Sequence, residues 1–139
     1  MREMTDLEFG EQMKGRTKAF ALRIIRMFRA LPRSAEARAI GEQILRSGTS
    51  VGANYRAVCR ARSLREFVAK MGVVLEEADE TSFWMELLAE AEIVSPKRMG
   101  SLSQEACELV RIFSATCSTA RRNIAKKRKT LKLSNSQTL

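Results

Sequence analysis

The chain has 139 residues, 45% of them apolar and 6% aromatic, with two prolines and a formal net charge of +9. That length is one domain able to bury a substantial core, and no apolar run approaches the ~20 residues a membrane helix needs. Histidine is absent, which removes the commonest general base and the commonest transition-metal ligand together.

Residues 1–9 read as an irregular lead-in. The opening M-R-E-M-T-D-L-E is too acidic and polar for a signal peptide. Cys59, Cys107 and Cys117 form no C-x-x-C pair, so the expectation is a cytoplasmic protein whose cysteines are reduced, small buried residues. A first helix is predicted from Gly10 to Ala30, with Met13, Phe20, Ile24, Met27 and Leu31 on one face and arginines elsewhere. Leu31-Pro32 ends it, because proline disfavours helix in the residue before it. Ser34 is a candidate N-cap for a second helix over 35–60.

Propensity and pattern conflict inside that second helix. S-G-T-S-V-G-A-N (47–54) taken alone is a loop sequence. Yet Ile40, Ile44, Val51, Tyr55 and Val58 keep helical spacing across it, which predicts a helix whose small face is a packing surface. The third helix opens at Ser63, where Ser63 and Glu66 form a capping box, and runs to Glu92. Leu64, Phe67, Met71, Val74, Ala78, Thr81, Met85 and Leu88 form its main stripe. Val73, Trp84, Leu87 and Ala91 add a flanking row. So wide an apolar circumference predicts covering on several sides, by subunit contacts as well as by the bundle. Ser95-Pro96 starts a fourth helix that runs to about Ala125 on a stripe of Leu102, Ala106, Leu109, Phe113, Thr116 and Ala120. The expected division is a helical domain over 1–125 and a disordered basic tail over 126–139. The fold class is all-α, an antiparallel up-down-up-down four-helix bundle that oligomerises.

Three runs carry a family resemblance: Q-I-L-R-S-G-T-S-V-G-A-N-Y-R-A (43–57), R-S-L-R-E-F-V-A-K-M-G (62–72) and E-E-A-D-E-T-S-F-W-M-E-L-L (76–88). The chain resembles, over about residues 5–125, the four-helix-bundle family of the 23S rRNA intervening-sequence protein. The accessory variability protein of diversity-generating retroelements is related to that family and more distant from this chain. The resemblance implies a homopentamer and association with nucleic acid. Where other members carry Asn-x-x-Glu-Gly, this chain has Asn54-Tyr55-Arg56-Ala57, which makes the region more basic.

Charge is unevenly distributed. Residues 14–70 hold fourteen basic and three acidic side chains, 71–95 seven acidic and no basic, and 121–132 seven basic and no acidic. The acids Glu76, Glu77, Asp79 and Glu80 invite a metal reading, but bundle metal sites of that kind use Glu-x-x-His pairs and no histidine exists. If helices 2 and 3 fold back near Ala61-Arg62, facing residue numbers sum to about 124. Arg46 then falls opposite Ala78, within reach of Glu76, Asp79 or Glu80, as structural ion pairs, and Arg38 falls opposite Glu86. Arg56, Arg60, Arg62, Arg65 and Lys70 gather near the helix 2–3 turn with fewer acids to face. They form the first candidate nucleic-acid-binding set, and a solvated basic surface is the alternative. Arg121, Arg122, Lys126, Lys127 and Arg128 form the second set. Without interleaved aromatics, such a set would bind backbone phosphate rather than bases. Phe83 and Trp84 read as core or interface.

No nucleophile motif, glycine-rich phosphate loop or cofactor motif occurs, so neither an enzyme, a metal site nor a cofactor is expected. The function expected is a non-catalytic RNA- or DNA-binding module, accessory to a nucleic-acid enzyme or to ribosomal RNA. Its partners would be other copies of itself, nucleic acid, and a protein such as that enzyme. The alternative is a protein-interaction scaffold with no specific nucleic-acid role.

Overall fold

A computed structural model describes residues 2–137. Four helices follow one another: α1 (Asp6–Arg29), α2 (Ala35–Val58), α3 (Leu64–Glu90) and α4 (Pro96–Gln137). Among the described residues there is no strand. Each helix start is fixed by a side chain that accepts an otherwise orphaned backbone N–H. The hydroxyls of Ser34, Ser63 and Ser95 accept from Ala37, Glu66 and Arg98 respectively.

The first helix begins earlier than its apolar stripe suggests. Thr5 Oγ1 accepts the Glu8 N–H at 3.1 Å, and the Glu8 carboxylate accepts the Thr5 N–H at 3.0 Å. This capping box in T-D-L-E turns residues 6–9 of the expected lead-in into the first turn of α1. At the other end of the chain the difference is larger. Residues 126–137 continue α4, where the sequence reading ended the helix near Ala125. The apolar stripe does stop there: Ala120 is the last buried residue, and from Arg121 to Ser136 every side chain but Ile124 is exposed. Loss of packing therefore marks where α4 leaves the bundle, and its good helix formers carry it on for about 25 Å more.

Glu92 has φ 60, the single positive φ at a non-glycine residue among those described. It occupies the left-handed position after α3. The Ile93 N–H donates to Leu88 O at 3.0 Å and the Glu92 N–H to Ala89 O at 3.1 Å, the Schellman pattern. That turn sends the chain back into α4.

Consecutive helices are antiparallel neighbours, as the register of their contacts shows. Thr81 Oγ1 on α3 donates to Ser47 Oγ on α2 at 2.8 Å, inside the core. Met85 of α3 meets Ser103 of α4. α1 approaches α2 closely, because α2 presents Gly41, Gly48 and Gly52 to it. A Cβ on Gly48 would lie 2.8 Å from Ile24 Cγ1, and one on Gly52 would lie 3.4 Å from the Thr17 backbone. The loop-like run 47–54 is thus helical for two reasons. Its small residues admit α1, and its hydroxyls are satisfied within the helix: Ser47, Thr49 and Ser50 donate to the carbonyls of Gln43, Leu45 and Arg46. Phe20, Ile24, Ile44, Val51, Met71, Met85, Leu88, Leu109 and Phe113 fill the core. Tyr55 and Phe113 stack across it with ring centroids 5.9 Å apart.

Two expectations need correction. Only Cys117 is buried; Cys59 and Cys107 are exposed, and all three are free thiols. Cys59 sits at the C-cap of α2, and Cys107 is one residue round from the stripe position Ala106, so neither faces the core. Arg38 pairs with Glu42 on its own helix at 3.2 Å, not with Glu86. No helix of the described residues is long and apolar enough to cross a membrane.

Candidate nucleic-acid interface

The close approach of α1 and α2 leaves a groove of about 430 Å³ on their outer side, with Lys14 and Lys18 on one bank and Arg56 and Arg60 on the other. Its floor is small: Ala21, Gly52, Ala53 and Ala57. Lys14 and Lys18 are four residues apart on α1, about 6 Å along its axis; Arg56 is in the last turn of α2 and Arg60 follows its C-cap, Cys59. Lys14 donates to Glu11 at 2.9 Å on the solvent side. Lys18, Arg56 and Arg60 form no ion pair with a carboxylate among the described residues. Four cations over a floor without bulk or aromatic rings can contact a phosphate chain closely and offer nothing for a base to stack on.

Of the first sequence-derived set, the structure brings Arg56 and Arg60 into this groove. Arg62 lies in the turn before α3 and Arg65 in the first turn of α3, both exposed. Lys70 is engaged elsewhere, donating to Glu66 at 2.8 Å. That bond, with the Arg62 N–H, holds the Glu66 carboxyl below its ordinary range. Arg121, Arg122, Lys126, Lys127 and Arg128 are all exposed on the outer part of α4. The α3–α4 pairs Met85–Ser103 and Ser82–Cys107 set a register that puts Arg65 level with Asn123. Both basic sets therefore lie at the same end of the bundle, the end where α4 projects. Lys14 and Lys18 were missed. Folding helix 1 back on helix 2 about Pro32 gives facing numbers that sum to about 64 and sets Lys14 against Ser50; the contacts of Gly52 with Thr17 and of Gly48 with Ile24 give a sum near 70, which sets Lys14 against Arg56.

Two acids of the α3 run, Glu77 and Glu80, pair with α2. Arg46 Nη2 lies 2.7 Å from Glu80 Oε1 and Arg46 Nη1 3.7 Å from Glu77 Oε1. Glu76 and Asp79 are exposed and make no ion pair among the described residues. Glu77, which the sequence reading left out of the pairing, is the more enclosed acid; its Oε2 is buried with no hydrogen-bond partner among the described residues. The Trp84 indole N–H donates to Glu80 at 3.2 Å. This bond first, and Arg46 second, lower the Glu80 pKa against the opposing effect of burial. Sequence reasoning also missed Arg16, which ties α1 to α4. It holds Glu105 through two hydrogen bonds, of 3.0 and 2.6 Å, and Glu108 through one of 2.6 Å. Its pKa is raised, chiefly by the Glu105 bonds.

Residues 12–115 match the family described as 23S rRNA-intervening sequence protein. The chain belongs to that family. Among solved structures, it is similar to a protein of unknown function from the S23 ribosomal protein family of Bacteroides thetaiotaomicron. Identity is 31%, the match covers 78% of this chain and 97% of that one, and the TM-score is 0.72. No curated protein matches. The matched span of the intervening-sequence family contains the whole α1–α2 groove and ends before the outer part of α4. The second basic set, from Arg121 onward, therefore lies outside the family match.

Proposed function

We propose that this protein is a non-catalytic nucleic-acid-binding module that works as a homo-oligomer, a pentamer, in the cytoplasm. The observation that carries the reading is the α1–α2 groove, where Lys14, Lys18, Arg56 and Arg60 flank a floor of small residues. Such a site recognises phosphate and reads little sequence, because no aromatic or amide side chain lines it. Arg62, Arg65, Arg121 and Arg122, at the same end of the bundle, extend the positive field, and oligomer symmetry multiplies it. Membership of a family described by a 23S rRNA intervening sequence favours RNA as the polyanion, with a nucleic-acid enzyme as a candidate protein partner.

Fluorescence anisotropy with a labelled single-stranded RNA tests the reading. Arg56→Glu combined with Arg60→Glu should nearly abolish binding while circular dichroism and oligomeric state stay unchanged. Undiminished binding would remove the groove from the site.

A second reading, a protein-interaction scaffold, draws on α3. Phe83 is 49% exposed and Val73 43% exposed, on a helix whose other faces are packed. Co-purification of one defined protein, with no RNA binding at low salt, would favour it.

A further inference from the structure

A second cleft lies at the opposite end of the bundle from the α2–α3 turn, between the C-terminal turns of α1 and the start of α4. Its volume is about 490 Å³, within the range of small-molecule sites. Arg23 and Arg26 of α1 and Arg98 of α4 line it. None of the three forms an ion pair with a carboxylate among the described residues, and Arg23 donates to the Ser101 hydroxyl at 2.9 Å. The floor is aliphatic, made by Met27, Leu31, Ile93 and Val94, all partly buried against the core. Three guanidinium groups, two from α1 and one from α4, thus border an apolar floor with no carboxylate paired to any of them among the described residues.

We propose that this cleft binds a small monocarboxylate with an aliphatic body, of the medium-chain fatty-acid type. The lining selects that chemistry. Its polar side chains are three arginines, which only donate, and two serines, Ser95 and Ser101, whose oxygens already accept from Arg98 N–H and from Arg23. A ligand rich in acceptors and without donors is therefore matched, and a carboxylate fits the planar guanidinium fork with two parallel bonds. A nucleobase or a peptide backbone would bring donors against which the side chains here offer one remaining lone pair on each serine oxygen, and no aromatic ring is present to stack on a base. The floor takes an alkyl chain, and the thioether of Met27 adapts to its length. The site is separate from the α1–α2 groove: the two share no residue.

Isothermal titration of the full chain with sodium decanoate, below its micelle-forming concentration, tests the proposal. Decyltrimethylammonium carries the same tail with the opposite charge, and inorganic phosphate and adenosine monophosphate carry the anion without the tail. Decanoate should bind once per chain and the other three should not compete with it. Arg26→Gln combined with Arg98→Gln, both at exposed positions, should weaken decanoate by about tenfold or more, the factor for one lost charge-assisted hydrogen bond. Arg56→Glu with Arg60→Glu should leave decanoate binding unchanged. The proposal is overturned if decanoate does not bind, if the cationic amphiphile binds equally well, if phosphate or the nucleotide competes, or if the Arg26/Arg98 variant binds as wild type does.

Discussion

Arg46 Nη2 lies 2.7 Å from Glu80 Oε1, and that same oxygen accepts the indole N–H of Trp84 at 3.2 Å. One carboxylate thus joins α2 to α3 and orients the lone tryptophan. Arg46 is 54% exposed, so solvent screens the pair, and Arg46→Ala should cost only about 1 kcal/mol. Arg16 is the contrasting case. It is 31% exposed, bonded to Glu105 in a bidentate pair and to Glu108 besides. It is also the main polar tie between α1 and α4. Arg16→Ala should cost about 2–3 kcal/mol. Urea denaturation of the two variants measures both; an Arg46→Ala loss equal to or above that of Arg16→Ala would contradict the ranking.

Acid should weaken the fold through the same contacts. Glu80 is held below its ordinary value of 4.5 by Trp84 and then by Arg46, and Glu66 by Lys70 and the Arg62 N–H. A carboxyl whose folded pKa is lowered binds its proton more readily when unfolded. Its contribution is full above the unfolded pKa and is lost as the pH falls through the folded one. The thermal midpoint should stay level from neutral pH down to about 5 and then fall. Glu80→Gln should lower the neutral plateau and reduce the fall, which melting curves across that range will show. An equally steep fall in the variant would mean that Glu80 has no part in it.

Much of this arrangement is legible in the sequence, and the parts that are not share a physical cause. Apolar periodicity places all four helices, and the fold-back at Ala61-Arg62 sets Arg46 against the acids of α3, because both are properties of single helices and one short turn. The same arithmetic fails to select Glu77 over Glu76, since one residue is a 100° rotation and only packing decides which acid turns inward. The groove is hidden for a different reason. Lys14 and Arg56 are far apart in sequence, and they meet only because Gly48 and Gly52 let α1 and α2 approach. The outer part of α4 is hidden too: with no stripe to follow, residues 126–137 give the reader composition alone.

The glycines should separate cleanly into two classes. Gly48→Ala would put a Cβ 2.8 Å from the buried Ile24 side chain, and it should destabilise by about 1–3 kcal/mol in spite of the better helix propensity. At Gly15 and Gly100, both mid-helix and exposed, a Cβ would meet nothing within 4 Å. Gly15→Ala and Gly100→Ala should each stabilise by about 0.5–1 kcal/mol. Thermal melts of the three variants check the contrast, and stabilisation by Gly48→Ala would show that α1 and α2 are not in contact there.

Assembly should depend on the uncovered face of α3. Phe83 is half-exposed and packs on Trp84 with ring centroids 5.1 Å apart. Phe83→Asp should shift the protein toward monomer in light scattering without altering its helix content, because the charge would then sit in the proposed subunit interface. A wild-type protein that is monomeric at micromolar concentration would set the pentamer aside, and an oligomer unaffected by the substitution would move the interface elsewhere.

If the α1–α2 groove holds a phosphate chain, RNA binding must depend on salt through its cations. Each phosphate neutralised by a cation releases counterions, so affinity falls with salt on a log–log slope of about 0.7–0.9 per contact. Arg56→Gln combined with Arg60→Gln removes two groove cations without adding repulsion. Binding at low salt should weaken, and the slope should be shallower than that of wild type by about 1.4–1.8. Parallel salt titrations of equal affinity, with the fold and oligomeric state intact, would contradict it.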